Sequence, residues 1–167
     1  MPTTDQLLFI LKLITALGCG LVAGAFFAFS SFVMGALAKI QPSQGMTAMQ
    51  SINVVVINPV FMLAFMGSAA ACLFLGIVSV VKWSQPGSAY LLAGSLLYLL
   101  GTFIVTIAFN VPLNDALAKA NPASPEGLSL WSSYVSAWTM WNHVRTVAAL
   151  AATASFILAL CRRAAEQ

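Results

Sequence analysis

Four stretches of this chain, about residues 8–37, 59–81, 89–110 and 139–161, are each apolar over roughly 20 residues or more, the length a helix needs to cross about 30 Å of hydrocarbon. Lipid offers no hydrogen bonds to a backbone, so segments that cross it satisfy their own amides and carbonyls as helices. Hydrophobic residues make up 60% of the chain and charged residues 7%, against about 25% charged in an ordinary soluble domain. The expected fold is all-α: an integral membrane four-helix bundle, one domain over residues 1–167, with outer loops at 38–58 and 111–138. The first stretch is not expected to be a cleaved leader, because its apolar run is too long and only Asp5, no basic residue, precedes it.

Lys12, Lys82, Arg162 and Arg163 fall on the side of the two termini and the 82–88 turn, while the outer loops carry Lys39 and Lys119 diluted by Asp115 and Glu126. Both termini are therefore expected in the cytoplasm, in a multi-pass protein of the cell (inner) membrane. The net charge of +3 is scattered and forms no basic stripe, so the expected partner is the lipid bilayer and not nucleic acid. Trp83 and Tyr90 sit near one interface, and Trp131, Tyr134, Trp138 and Trp141 near the other.

Asn58-Pro59 reads as a helix cap followed by proline at the first helical position, and Asn110-Val111-Pro112 is expected to stop the third helix. Ala36-Leu37-Ala38-Lys39 with Pro42 recurs as Ala116-Leu117-Ala118-Lys119 with Pro122, which suggests two tandem helical hairpins. Gly20-Leu21-Val22-Ala23-Gly24, with Ala28 beyond, reads as a close helix-packing face inside the bundle or between subunits, so a homodimer is a candidate assembly.

Cys19, Cys72 and Cys161 all lie in apolar helices without a C-x-x-C pair, which argues against a thiol relay and for small buried hydrophobes. One histidine cannot supply a zinc or di-iron shell, and a bis-histidine haem is impossible within one chain. No cofactor is expected. The one haem or copper alternative pairs His143 with Met140, Met46 or Met49.

The remaining signal is polar. At about 100° per residue, Arg145, Trp138, Asn142, Thr146, Thr139 and His143 span roughly 160° of the fourth helix, with Val144, Val147 and Ala148 opposite. On the third helix Tyr98, Thr102, Thr106 and Asn110 recur every four residues, and Asn114 follows. Gln50 and Asn53 are helically spaced before Asn58. Burying such groups in hydrocarbon costs several kcal/mol unless they find partners, so all but Tyr98, with Thr102 at the boundary, are expected to converge on one pocket in the outer half of the bundle. The structural alternatives are a snorkelling Arg145, amides that glue helices together, and hydroxyls bonded back to their own helix.

Ala25-Phe26-Phe27-Ala28-Phe29-Ser30 with Val33-Met34, Met49-Gln50-Ser51-Ile52-Asn53 running to Asn58-Pro59, Asn110-Val111-Pro112-Leu113-Asn114, and Trp138 with Trp141-Asn142-His143-Val144-Arg145-Thr146 together resemble the small four-helix membrane proteins of the anthrone oxygenase-like family. The resemblance spans almost the whole chain. It implies conversion of an anthrone-like aromatic by O2 without metal or flavin, because a base that removes the acidic methylene proton leaves a delocalised anion able to pass an electron to O2 directly. His143 is then the expected base, since imidazole titrates near neutral pH, and Arg145 the stabiliser of the phenolate. Asn142, Asn110 and Asn114 would be further donors, and Trp138 a surface for a planar ring. Gln50, Asn53, Asn58, Thr146, Thr106 and Tyr98 are expected to line the small hydrophobic substrate. His143 and Arg145 nevertheless stand at opposite edges of the arc. The competing class is a non-catalytic membrane protein that binds, senses or exports a small aromatic, quinone or lipid, and a third is a structural subunit of a larger complex.

Overall fold

The computed structural model describes residues 3–164, with helices α1 (Thr4–Lys39), α2 (Pro42–Val55), α3 (Pro59–Val81), α4 (Ser88–Lys119) and α5 (Pro125–Ala164). α1, α3, α4 and α5 are long and apolar enough to cross a membrane, as in a multi-pass membrane protein. Their outward faces carry Val60, Leu63 and Val147 at 78%, 76% and 67% exposure, a surface that suits lipid and would be costly in water. The start of α1 and the end of α5 lie at one end of the bundle; α2 and the α4–α5 connection close the other, here called the far end.

Local chemistry accounts for the helix starts. Thr3 Oγ1 accepts from the Gln6 amide while Gln6 Oε1 accepts from the Thr3 amide, a capping box at the head of α1. Asn58 Oδ1 accepts from the amides of Val60 and Phe61 and Pro59 follows it, as the sequence predicts for α3. Gly87 turns the chain into α4 at φ +82°, and a Cβ there would stand 2.9 Å from the Ala159 carbonyl oxygen, so glycine is required twice over.

Cys19, Val22, Cys72, Leu75, Tyr98, Ala149, Ala152 and Phe156 fill the core between the four spans. Small residues set the closest approach: in the expected Gly20–Gly24 face Val22 and Ala23 are buried and Gly20 lies against Thr153, but the tightest α4–α5 contacts fall at other glycines. A Cβ on Gly101 would meet Ala148 Cβ at 2.5 Å, and one on Gly94 would meet the Ala152 carbonyl at 3.2 Å, so α4 and α5 cross nearly backbone to backbone. Gly24, by contrast, has open space where its side chain would be, because it lies on the exposed side of α1. Of the cysteines, Cys19 and Cys72 are buried as expected, but Cys161 is exposed.

The expected loops are mostly helix. Residues 38–58 contain the 14-residue α2, and residues 111–138 divide between the end of α4 and the first turns of α5, which begins at Pro125. α4 runs through Pro112 to Lys119 because Thr106–Asn110 is a π-helical turn. Its amides bond back five residues, and the widened turn relieves the clash and lost bond that proline imposes on a regular helix. Further π turns occupy Leu99–Ile104 of α4 and Phe29–Val33 of α1. The two Ala-Leu-Ala-Lys copies each end a helix, at Lys39 and Lys119, and the chain is extended immediately after both.

Candidate active site

The three π turns surround one buried polar cluster between α1, α4 and α5, and Arg145 is its centre. Although charged, Arg145 is only 4% exposed. Its Nη2 donates to Asn142 Oδ1 at 2.7 Å and its Nη1 to Thr106 Oγ1 at 3.3 Å. The guanidinium carbon lies 4.2 Å from the centre of the Phe26 ring and 5.0 Å from that of Trp138, so aromatic faces stand where a counter-ion would be expected. The described carboxylates, Asp5, Asp115 and Glu126, are all exposed. A buried cation without an anion is costly and marks a place where negative charge is welcome.

Asn142 holds this cation to α1. Its Nδ2 donates to the Phe26 carbonyl at 2.7 Å and to Ser30 Oγ at 2.8 Å. Thr146 Oγ1 donates to the Asn142 carbonyl and lies 3.0 Å from Ser30 Oγ, so Ser30 is the donor of that pair. With both amide hydrogens committed to α1, the Asn142 oxygen is left to face Arg145. From α4, Thr106 Oγ1 donates to the Thr102 carbonyl, Thr102 Oγ1 donates to the Arg145 carbonyl at 3.3 Å, and Asn110 Nδ2 donates to the Trp138 carbonyl at 3.2 Å.

Some polar atoms remain unmatched. Arg145 Nε, Trp138 Nε1, Asn110 Oδ1 and Thr139 Oγ1 are buried without a hydrogen-bond partner among the described residues. Trp138 and Asn110 are 5% and 1% exposed, so water on the outer surface does not reach them freely. On the rim of the α4–α5 seam, Phe109 and Trp141 stack with ring centres 3.6 Å apart.

Other residues expected in this pocket stand elsewhere. His143 is exposed beside Val144, and Met140 on the same helix is 51% exposed, because one residue of helix turns a side chain by about 100° away from Asn142. Met46 and Met49 are fully buried in the far-end core with Trp131, Tyr134 and Trp138, apart from the exposed His143. Gln50 Nε2 donates to the carbonyls of Leu117 and Ala120 and thereby caps the end of α4. Asn53 donates to the Tyr134 hydroxyl, which donates to Asn114 Oδ1 at 2.9 Å, a strut joining α2, α5 and α4. Asn58 is the helix cap already described. Tyr98 lies in the main core, its hydroxyl donating to the Phe65 carbonyl at 3.0 Å. The single outer cavity expected from the sequence is thus two structures: the Arg145 cluster, and a far-end brace built from Gln50, Asn53, Asn114 and Tyr134. Among the described residues no three histidine, cysteine, aspartate or glutamate side chains gather in one place.

Sequence reasoning gave no role to the Phe26 ring and carbonyl or to the Ser30 hydroxyl. Their signal lay only in the Ala25–Ser30 motif, because a backbone acceptor leaves no mark on residue type.

The family model for anthrone oxygenases matches residues 61–155, more than half of the 167 residues. The chain belongs to the anthrone oxygenase family. The matched span holds all but the first two residues of α3, all of α4 and most of α5, and with them Thr106, Asn110, Trp138, Asn142 and Arg145; Phe26 and Ser30 come from α1, outside it. No curated protein and no solved structure matches the chain. For an anthrone oxygenase relative the cluster's chemistry is apt: a fixed cation and free N–H donors in apolar surroundings stabilise an oxygen anion far more than they would in water.

Proposed function

We propose that this protein is a membrane-embedded, cofactor-independent oxygenase that binds an anthrone-like phenolic substrate as its anion at Arg145. The observation that carries this reading is the buried guanidinium held by Asn142 and Thr106 and lacking a carboxylate. Bound beside that charge, the enol form of an anthrone loses its proton and becomes a phenolate whose negative charge is shared with the ring carbon. The anion passes one electron to O2, the resulting radical and superoxide join as a carbon peroxide anion that takes a proton back from solvent, and the hydroperoxide so formed loses water to leave the new carbonyl. The balance is one CH2 and one O2 giving one C=O and one H2O. O2 and the substrate both partition into hydrocarbon, so entry at the Phe109–Trp141 seam from the bilayer suits both.

In this reading Arg145 supplies the driving force for deprotonation by electrostatics, and the proton leaves to solvent. His143, exposed on the outer face, is not required. The distribution of lysine and arginine supports termini in the cytoplasm and the cluster toward the opposite leaflet.

The test is oxygen uptake by the purified protein in lipid nanodiscs supplied with anthrone or dithranol, with quinone formation followed by absorbance. Uptake matched one to one by quinone, and lost in Arg145→Met, supports the oxygenase. Saturable quenching of tryptophan fluorescence without oxygen uptake would replace it with a binding, sensing or exporting role.

A further inference from the structure

Of the four unmatched atoms in the Arg145 cluster, two are N–H donors, Asn110 Oδ1 is an acceptor, and Thr139 Oγ1 can serve as either. Arg145 has five N–H hydrogens; one on each terminal nitrogen is engaged, with Thr106 and Asn142, and Nε is buried without a partner among the described residues. Trp138 packs its ring on Phe29, with centres 5.6 Å apart, and on Tyr134, with centres 6.3 Å apart, and these contacts fix the direction of its indole N–H. Asn110 is oriented by donating to the Trp138 carbonyl, which leaves Oδ1 as a bare acceptor. A buried polar group left without a partner costs about 1–3 kcal/mol, and four in one cluster are unusual in a native interior. Chemical complementarity to this set is specific. Two donors beside a cation ask for an anionic oxygen, and a lone acceptor asks for an adjacent hydroxyl.

We propose that Trp138 Nε1 joins Arg145 Nε in holding an anionic ring oxygen of the ligand, while Asn110 Oδ1 accepts from a neighbouring ring hydroxyl, so that these residues select ligands carrying two adjacent ring oxygens. This rests on the substrate-binding half of the oxygenase reading and adds Trp138 and Asn110 as its specificity-determining residues. Trp138 then does more than offer a stacking face, and Asn110 acts as an acceptor and not as a donor. A ligand with one oxygen leaves Asn110 Oδ1 buried and unpaired; a ligand with none leaves all three.

Binding can be read without turnover by using a compound that is already a quinone. Alizarin, 1,2-dihydroxyanthraquinone, has two adjacent ring oxygens, and its phenolate absorbs at longer wavelength than the phenol. The wild-type protein in nanodiscs should bind alizarin at least tenfold more tightly than 9,10-anthraquinone, and the bound dye should ionise at a pH at least one unit below that in empty nanodiscs. Trp138→Phe keeps a ring and removes the N–H; it should raise the pH of ionisation of the bound dye toward the value in empty nanodiscs. The 1-methyl ether of alizarin keeps the 2-phenolate but donates nothing to Asn110, and wild type should prefer alizarin to it by about tenfold. Asn110→Leu should abolish that preference, and because the preference is a ratio measured within one variant, a general loss of affinity cancels.

The proposal is overturned if bound alizarin ionises no differently in wild type and Trp138→Phe. It is overturned equally if wild type fails to distinguish alizarin from its methyl ether, a result that requires no variant to fold. Selective alizarin binding without anthrone oxidation would defeat the oxygenase reading and leave this inference standing. Anthrone oxidation with no alizarin selectivity would do the reverse.

Discussion

Arg145 Nη2 and Asn142 Oδ1, 2.7 Å apart and one turn from each other on α5, form the link that keeps a permanent charge inside the bundle. The geometry is possible because Asn142 commits both amide hydrogens to α1, at Phe26 O and Ser30 Oγ, and so presents only its oxygen to the guanidinium. One uncharged side chain thus orients the cation and ties it to the neighbouring helix without neutralising it.

Asn142→Ala removes three hydrogen bonds at once, one of them to a charge. The expected cost is about 2–4 kcal/mol of stability, with loss of activity, read as a lower thermal midpoint in nanodiscs and reduced quinone formation. A midpoint equal to wild type would show that α1 and α5 are held by apolar packing alone.

Arg145→Lys keeps the charge but loses the planar fork that spans Asn142 and Thr106, while Arg145→Met keeps much of the stem and loses the charge. Quinone formation should fall in the order wild type, lysine, methionine. The methionine variant should lose about 2–4 kcal/mol of transition-state stabilisation, roughly 30- to 900-fold in kcat/KM. Near-wild-type turnover in the methionine variant would remove Arg145 from the chemistry.

His143→Ala separates side-chain position from residue type. Because His143 is exposed on the outer face, turnover within about threefold of wild type is expected between pH 6 and 8, with unchanged thermal stability. A loss of about 10²-fold with folding intact would restore the histidine as the base.

Gly101→Ala and Gly24→Ala make a matched pair. The added methyl at Gly101 meets Ala148 Cβ at 2.5 Å and must push α4 from α5, whereas at Gly24 it enters open space. Gly101→Ala should cost about 1–3 kcal/mol and reduce activity, since Thr102 and Thr106 move with α4; Gly24→Ala should be neutral or slightly stabilising. Equal midpoints would mean that the α4–α5 crossing adjusts without strain.

Gln50 tests whether the far-end brace is structural. Its amide carries two hydrogen bonds to the end of α4, at Leu117 O and Ala120 O, so Gln50→Leu should lower stability by about 1–2 kcal/mol. KM for an anthrone should stay within about twofold of wild type; a large rise in KM at full stability would return Gln50 to the substrate site.

What could be read directly from the residues was whatever depends on local composition. The four spans and the Asn58-Pro59 cap follow from apolar length and a capping carboxamide, and each appears in the structure, whereas the two Ala-Leu-Ala-Lys copies, expected in outer loops, end helices instead. The candidate pair Asn142–Arg145 was also visible, because residues three apart on a helix share a face. What only the tertiary structure decided was the direction of each polar face and the identity of its partner. The π turns let α4 pass through Pro112 and bring Thr102, Thr106 and Asn110 together against α5. The Gly101–Ala148 contact set the depth of that approach, and Asn142 found its acceptor on a backbone carbonyl of α1. The polar arc on α5 looked continuous in sequence, yet His143 faces outward while Arg145 is enclosed. Periodicity places side chains around one helix, but burial is set by where the neighbouring helices pack.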